Sequence, residues 1–180
     1  MPKPEIETLA SKVVYQNRWM TVREDQIRRQ DGGLGIYGVV EKSDFAVIAA
    51  VQDGLVYLVE QYRYPVGARY WELPQGTWNH ENNDPLELAR TELREETGLT
   101  AGNITHVAKL HEAYGYSTQA FDLFFATQLA QGEARLEPEE QGLISKAFPI
   151  DTVMAMLCDG RITDAVTAAS FGLLRIKGLL

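Results

Sequence analysis

The pattern of apolar and polar positions predicts a run of strands, one helix, further strands and two closing helices. Val13–Tyr15 and Met20–Arg29 read as strands, the second partly alternating. Ile36–Val40 reads as the return strand across a tight turn at Asp31-Gly32-Gly33, and Met1–Ser11 is a polar lead-in. Phe45–Val51 and Leu55–Glu60 are apolar strands joined by Gln52-Asp53-Gly54, a hairpin signal. Tyr70–Leu73 is another strand, which Pro74 and Gly76 turn into a loop. Ile104–His111, Phe121–Gln128 and Gly142–Phe148 follow as strands. Ile150–Cys158 and Thr163–Ile176 read as helices, the second with Ala165, Val166, Ala169, Leu173 and Ile176 on one face. This order predicts an α/β or α+β sandwich around a mixed sheet.

The central helix carries the candidate chemistry. Asp84 is a good N-cap, Pro85 suits the first helical position, and Glu87 completes a capping box. Leu86, Ala89, Leu93 and Thr97 recur at helical spacing, and Gly98 supplies a left-handed stop. Glu92, Glu95 and Glu96 crowd its last turns, off that apolar stripe. Like charges at this spacing oppose an isolated helix by roughly 0.2–0.5 kcal/mol per pair. Clustered carboxylate oxygens suit Mg²⁺, with Mn²⁺ possible, as hard cations that also take substrate phosphates. A solvated acidic face is the plain alternative.

The segment Gly76–Leu99 resembles the signature of Nudix hydrolases, whose second half reads Arg-Glu-U-x-Glu-Glu-x-Gly-U with U a bulky aliphatic residue. Gly76 opens it, and Glu92, Leu93, Glu95, Glu96, Gly98 and Leu99 fill that second half. Trp71-Glu72-Leu73-Pro74-Gln75-Gly76, Val59-Glu60-Gln61-Tyr62-Arg63-Tyr64 and Gly160–Ala165 are similar to segments of the ADP-ribose pyrophosphatase branch. The likeness runs from about Val13 onward. It implies the Nudix fold, an α/β/α sandwich with a mixed sheet spanning 42–180, preceded by a small β-subdomain over 1–41 that builds a homodimer. It further implies metal binding by Glu92, Glu95, Glu96 and the Gln75 carbonyl, and a phosphate- or carboxylate-contacting role for Arg63.

The chain departs from the family pattern in three places. Asn83 and Thr91 stand where the family has an ion-paired Glu and Arg. Both partners are changed together, which is nearly neutral where losing one would strand a charge. Arg90 or Arg94 with Glu81 or Glu87 could replace that brace. Gln119 stands where the branch has a candidate general base, with Tyr114 at a proline position, and a glutamine amide cannot take a proton from water. The base is therefore sought in Glu137-Pro138-Glu139-Glu140, with Glu140 first and Glu139 second. Glu95 and Glu112 are further candidates.

Composition narrows the remaining classes. A chain of 180 residues, 45% hydrophobic, supports one domain with a small appendage. A net charge of −8 argues against a nucleic-acid partner. The longest apolar run, near Phe45–Val51, is too short to span a membrane, and MPKPEIETLA has no signal-peptide core. With Cys158 as the one cysteine, the chain suits the cytoplasm. His80, His106 and His111 lack zinc spacing, and no nucleophile elbow surrounds a serine. Gly32, Gly33 and Gly35 read as a hairpin turn rather than a phosphate cradle, since no helix follows them. Tyr15, Trp19, Tyr37, Tyr62 and Tyr64 could stack on a base, but aromatics are more often core, and none is assigned.

The expected activity is a Mg²⁺-dependent pyrophosphatase on a nucleoside diphosphate linked to another group, with ADP-ribose or a nucleotide sugar as the small-molecule substrate. The alternatives are a nucleotide-binding module without turnover, and a hydrolase of another diphosphate or triphosphate.

Overall fold

A computed structural model describes residues 4–77, 84–136 and 138–180. Two compact units emerge: the chain up to Asp44 with His111–Ala120, and Phe45–Leu110 with Phe121–Leu180.

The first unit is an antiparallel sheet of β1 (Ile6–Gln16), β2 (Thr21–Arg29) and β3 (Leu34–Glu41), in that order. The lead-in expected over Met1–Ser11 is corrected here, because Ile6–Ser11 belongs to β1. Register shifts between Thr8 and Ala10 and between Val13 and Tyr15 interrupt the two-residue period, which hid the strand in the hydropathy pattern. Gly32, at φ 85°, makes the β2–β3 turn, and Gly33 N–H donates to Asp31 Oδ1 at 2.8 Å. Little of this sheet is covered. Ile27 and Asp25 are buried, while every residue of β1 is exposed.

The second unit is a seven-stranded sheet built from β4 (Phe45–Gln52), β5 (Leu55–Arg63), β6 (Ala68–Glu72), β7 (Gln75–Thr77), β8 (Leu99–His111), β9 (Ala120–Gln131) and β10 (Ile144–Pro149). Its main order is β10-β5-β4-β9-β8, with β6 paired to β5 and β7 to β4. The β4–β9 pairing is parallel among antiparallel neighbours, so the sheet is mixed. The β4–β5 hairpin turns through Asp53 and Gly54, both at positive φ, as a two-residue turn requires.

Strand alternation assigns the two faces of β4. Ala46, Ile48 and Ala50 pack with Leu88, Ala89 and Leu93 of α1 (Pro85–Thr97). Val47 and Ala49 pack with Val153 and Met156 of α2 (Ile150–Cys158) and with Val166, Phe171 and Leu174 of α3 (Ala165–Ile176). Each fully buried aliphatic side chain contributes about 1.5–3 kcal/mol. The expected α/β/α sandwich is therefore present.

Two helix faces differ from expectation. In α3 the buried residues are Val166, Thr167, Ser170, Phe171 and Leu174, and Ile176 is 84% exposed. Thr167 and Ser170 are polar, so counting apolar positions rotated the predicted face. In α1 the buried set includes Leu88 and Glu96, with Leu86 only half-buried. Glu96 was expected off the buried stripe and instead lies at 2% exposure.

Candidate functional site

The helix that carries the carboxylates is well anchored. Asp84 accepts from Leu86 N–H, Pro85 is the first helical residue, and Gly98 ends the helix at φ 74° with its N–H on Arg94 O. A side chain at Gly98 would stand 2.6 Å from Gly132 O, so glycine is required on steric grounds as well.

Glu92 and Glu96, one turn apart, meet Glu140 from the short 3₁₀ turn Pro138–Glu140. Their ligand oxygens lie within 4.8 Å of one another. Glu92 lies directly over Gly76, where a Cβ would sit 2.2 Å from the Glu92 Cδ. The signature glycine is therefore what lets the carboxylate approach the β7 backbone. Glu96 Oε2 accepts the Gln75 N–H at 3.0 Å. Burial drives the Glu96 carboxyl well above the ordinary carboxylate range, and Glu92 and Glu140 push it further in the same direction. The Gln75 hydrogen bond opposes them only in part.

Such a donor set fits a hard divalent cation. It consists of carboxylate oxygens, is partly desolvated, and would otherwise hold mutually repelling charges.

Beside it lies a second buried carboxylate that the sequence reading did not single out. Glu72 is held by Arg63 through two contacts, Nη2 to Oε1 at 2.8 Å and Nε to Oε2 at 3.2 Å. It also accepts the Gln75 side-chain amide at 3.1 Å. Burial raises its pKa, and the Arg63 guanidinium pulls it back. The signal for Glu72 was its place between Trp71 and Leu73 in a short apolar strand. Leu73 N–H donates to the buried Thr167 hydroxyl at 2.9 Å, and Thr167 N–H donates to Asp164. The start of α3 thus fixes the segment leading to Gln75.

The expected residues therefore sort by position. Glu92, Glu96 and Glu140 converge, with the Gln75 backbone against them. Glu95 is half-buried on the same helix and is not in that trio. Arg63 is paired with Glu72 and has a partly exposed side chain. Gln119 is buried in the first unit, its amide donating to Ser43 O at 2.7 Å, a tie between two connecting segments. Arg90 pairs with Glu87 at 3.5 Å on the exposed side of α1. His80, Glu81, Asn83, Glu137 and the side chain of Glu139 lie outside the described residues.

Comparison with known proteins bears on this arrangement. Residues 42–166 match the NUDIX domain model. The chain belongs to the Nudix family. Residues 6–40 of this Nudix hydrolase match the model of the nucleoside diphosphate sugar hydrolase N-terminal domain. The chain is 31% identical over 171 residues to an ADP-ribose pyrophosphatase of Mycobacterium tuberculosis, covering 94% of this chain and 83% of that one. It is 28% identical over 195 residues to a GDP-mannose pyrophosphatase of Yersinia enterocolitica, covering 98% of each. A crystal structure of an ADP compounds hydrolase superposes with a TM-score of 0.87 at 21% identity, over 99% of this chain and 98% of that one, and supports the Nudix fold.

Proposed function

We propose that this Nudix hydrolase is a Mg²⁺-dependent pyrophosphatase of nucleoside diphosphates linked to a sugar or similar group, with ADP-ribose or a nucleotide sugar as substrate. The observation that carries the reading is the convergence of Glu92, Glu96 and Glu140 over Gly76. The relatives named for ADP-ribose and GDP-mannose support the substrate class.

Glu92, Glu96 and the Gln75 carbonyl would hold the cation, with Glu95 beside them and Glu140, the third carboxylate of the cluster, near enough to add to its affinity. A strand residue directs its N–H and C=O to one side. The Gln75 N–H meets Glu96 while Pro74 O accepts from Ile48 on β4, so the Gln75 carbonyl belongs to the carboxylate side. When bound, the cation neutralises the diphosphate and makes water a better nucleophile. Glu140 takes a proton from the attacking water. The new bond is from water oxygen to phosphorus, and the anhydride P–O bond breaks. The products are a nucleoside monophosphate and the phosphorylated partner group. Arg63 offsets phosphate charge from its place beside Glu72.

The same reading gives a homodimer through the 1–41 β-subdomain, with 42–180 as the catalytic domain. Ile6, Leu9, Val13, Val14 and Tyr15 on the end strand β1 are each at least 41% exposed, and Leu34 and Ile36 on β3 more so. A long exposed apolar end strand favours pairing with a second copy. A cytoplasmic setting accords with the lone cysteine.

Chromatographic product analysis with Mg²⁺ against a panel of nucleoside diphosphate sugars tests the proposal. Nucleoside monophosphate should form, and Glu140→Gln should lower kcat by about 10²–10⁴-fold with the fold intact. Tight nucleotide binding without product across the panel would replace the hydrolase reading with the binding-module one.

A further inference from the structure

Glu140 differs from Glu92 and Glu96 in one respect. It does not ride on α1 but on a three-residue 3₁₀ turn ahead of β10. The turn closes on itself through Leu143 N–H to Glu140 O at 2.9 Å, and Gly142 reverses the chain at φ 85°. That internal bond fixes the shape of the turn, not its place against the sheet.

Arg69 ties the exit of the turn to the sheet. It lies on β6 opposite Tyr62 of β5. Its Nη2 donates to Gly142 O at 2.6 Å and to Glu60 O at 2.9 Å, while Nε donates to Glu60 Oε2 at 3.0 Å. Glu60 is also the β5 residue in register with Ile144, where β10 begins. One planar guanidinium thus joins β5, β6 and the exit of the Glu140 turn. A charge-assisted bond to a backbone carbonyl is stronger than a neutral one, and the fork geometry of arginine limits rotation. A half-exposed Arg–Glu pair by itself contributes little to stability. What sets this one apart is its third contact, two residues from Glu140.

We propose that Arg69 is a positioning residue: the Glu60–Arg69–Gly142 clasp holds the turn so that Glu140 reaches Glu92 and Glu96. The inference rests on the assignment of those carboxylates to a divalent cation. Removing the clasp should act through Glu140, leaving Glu92 and Glu96 in place.

Mn²⁺ titration of the full chain, followed by electron paramagnetic resonance, tests this without turnover. Arg69→Met should weaken Mn²⁺ binding by about 10-fold, at the lower end of what removing such an outer partner does. Arg69→Met combined with Glu140→Gln should bind no more weakly than Glu140→Gln alone, within about 2-fold, because both act on one interaction. Arg69→Lys keeps a donor for Gly142 without the fork and should fall between Arg69→Met and the original chain. If Arg69→Met fails to fold, Glu60→Gln, which loosens the guanidinium, should show the same non-additivity with Glu140→Gln. In turnover, kcat should fall with nucleotide KM nearly unchanged. Unaltered Mn²⁺ affinity in Arg69→Met, or losses that multiply in the double variant, would overturn the clasp. A chain whose Mn²⁺ affinity depends on Arg69 but that cleaves no diphosphate upholds the clasp and removes the hydrolase reading. Cleavage with Arg69→Met indistinguishable from the original does the reverse.

Discussion

Gly76→Ala separates the fold from the site more cleanly than any carboxylate replacement. The added Cβ would lie 2.2 Å from Glu92 Cδ and Oε2 and 2.4 Å from Oε1. Ordinary contact begins near 3.4 Å, so the carboxylate must retreat by about 1.2 Å. The obstructing atoms are the far end of a flexible, half-buried side chain, so the backbone need not move. Gly76 also lacks the positive φ that would strain alanine. Replacing glycine there should leave stability unchanged or raise it by about 0.4–1 kcal/mol through the unfolded chain.

The site has no such tolerance. A displacement of about 1 Å in a reacting geometry can lower the rate by about 10²-fold. At 1.36 kcal/mol per decade that is about 2.7 kcal/mol of lost transition-state stabilisation. The expected result is a thermal midpoint equal to or above that of the original chain, with kcat/KM down about 10²-fold and Mg²⁺ saturation shifted upward. Thermal unfolding of the metal-free protein and a Mg²⁺ titration of turnover measure the two quantities separately. Full activity in Gly76→Ala would mean that Glu92 does not need its position over β7, and the assignment of Glu92 would fall. Loss of cooperative unfolding would show that the backbone, not the side chain, absorbs the clash.

Glu96→Gln should lower Mg²⁺-dependent turnover by at least about 10²-fold while stabilising the metal-free protein. The sign follows from linkage. The folded-state pKa of Glu96 lies above its ordinary 4.5, so metal-free stability falls as pH rises from about 4.5 through the folded value, and Glu96→Gln should flatten that fall in denaturant titrations run across pH. A steeper slope in the variant would contradict the burial argument. Light scattering at micromolar protein should report a dimer, and Val13→Glu on β1 should yield a monomer; a monomeric original chain with full activity would remove the interface.

The parts of the fold that follow from local rules were legible in the sequence. The cap at Asp84, Pro85 at the helix start and Gly98 at its end each leave a chemical trace, and the helix occupies Pro85–Thr97 accordingly. The Gln52-Asp53-Gly54 turn was legible for the same reason. What stayed hidden depends on distant partners. β7 is three residues long and exists because β4 lies beside it. β1 is disguised by its register shifts. Within the site, the carboxylate helix was legible as a motif. The burial of Glu96 was not, because a glutamate reads as a surface residue whatever covers it. Glu72 escaped for the same reason. The convergence of Glu140 with residues more than forty positions earlier is a fact of topology, since β10 pairs with β5 and so delivers its preceding turn to the edge where α1 presents Glu92 and Glu96.

Glu72 and Glu96 show how the chain treats two buried carboxylates differently. Both are at most 2% exposed, and burial raises the pKa of each. For Glu72 the protein supplies the Arg63 guanidinium, whose charge and hydrogen bond offset part of the desolvation. For Glu96 the charges that act most strongly are carboxylates, and the opposing contribution is one backbone N–H. A fold selected for stability alone would place a lysine or arginine there, or an apolar residue of similar volume, since an unanswered buried charge is among the largest destabilising features a protein can carry. The arrangement is consistent with a positive partner that arrives from solution. A proton on Glu96 would answer the same desolvation, so a bound cation and a proton would compete for one position. Affinity for the cation must then rise with pH as metal-free stability declines. The instability built into this turn of α1 is then free energy that cation binding would recover.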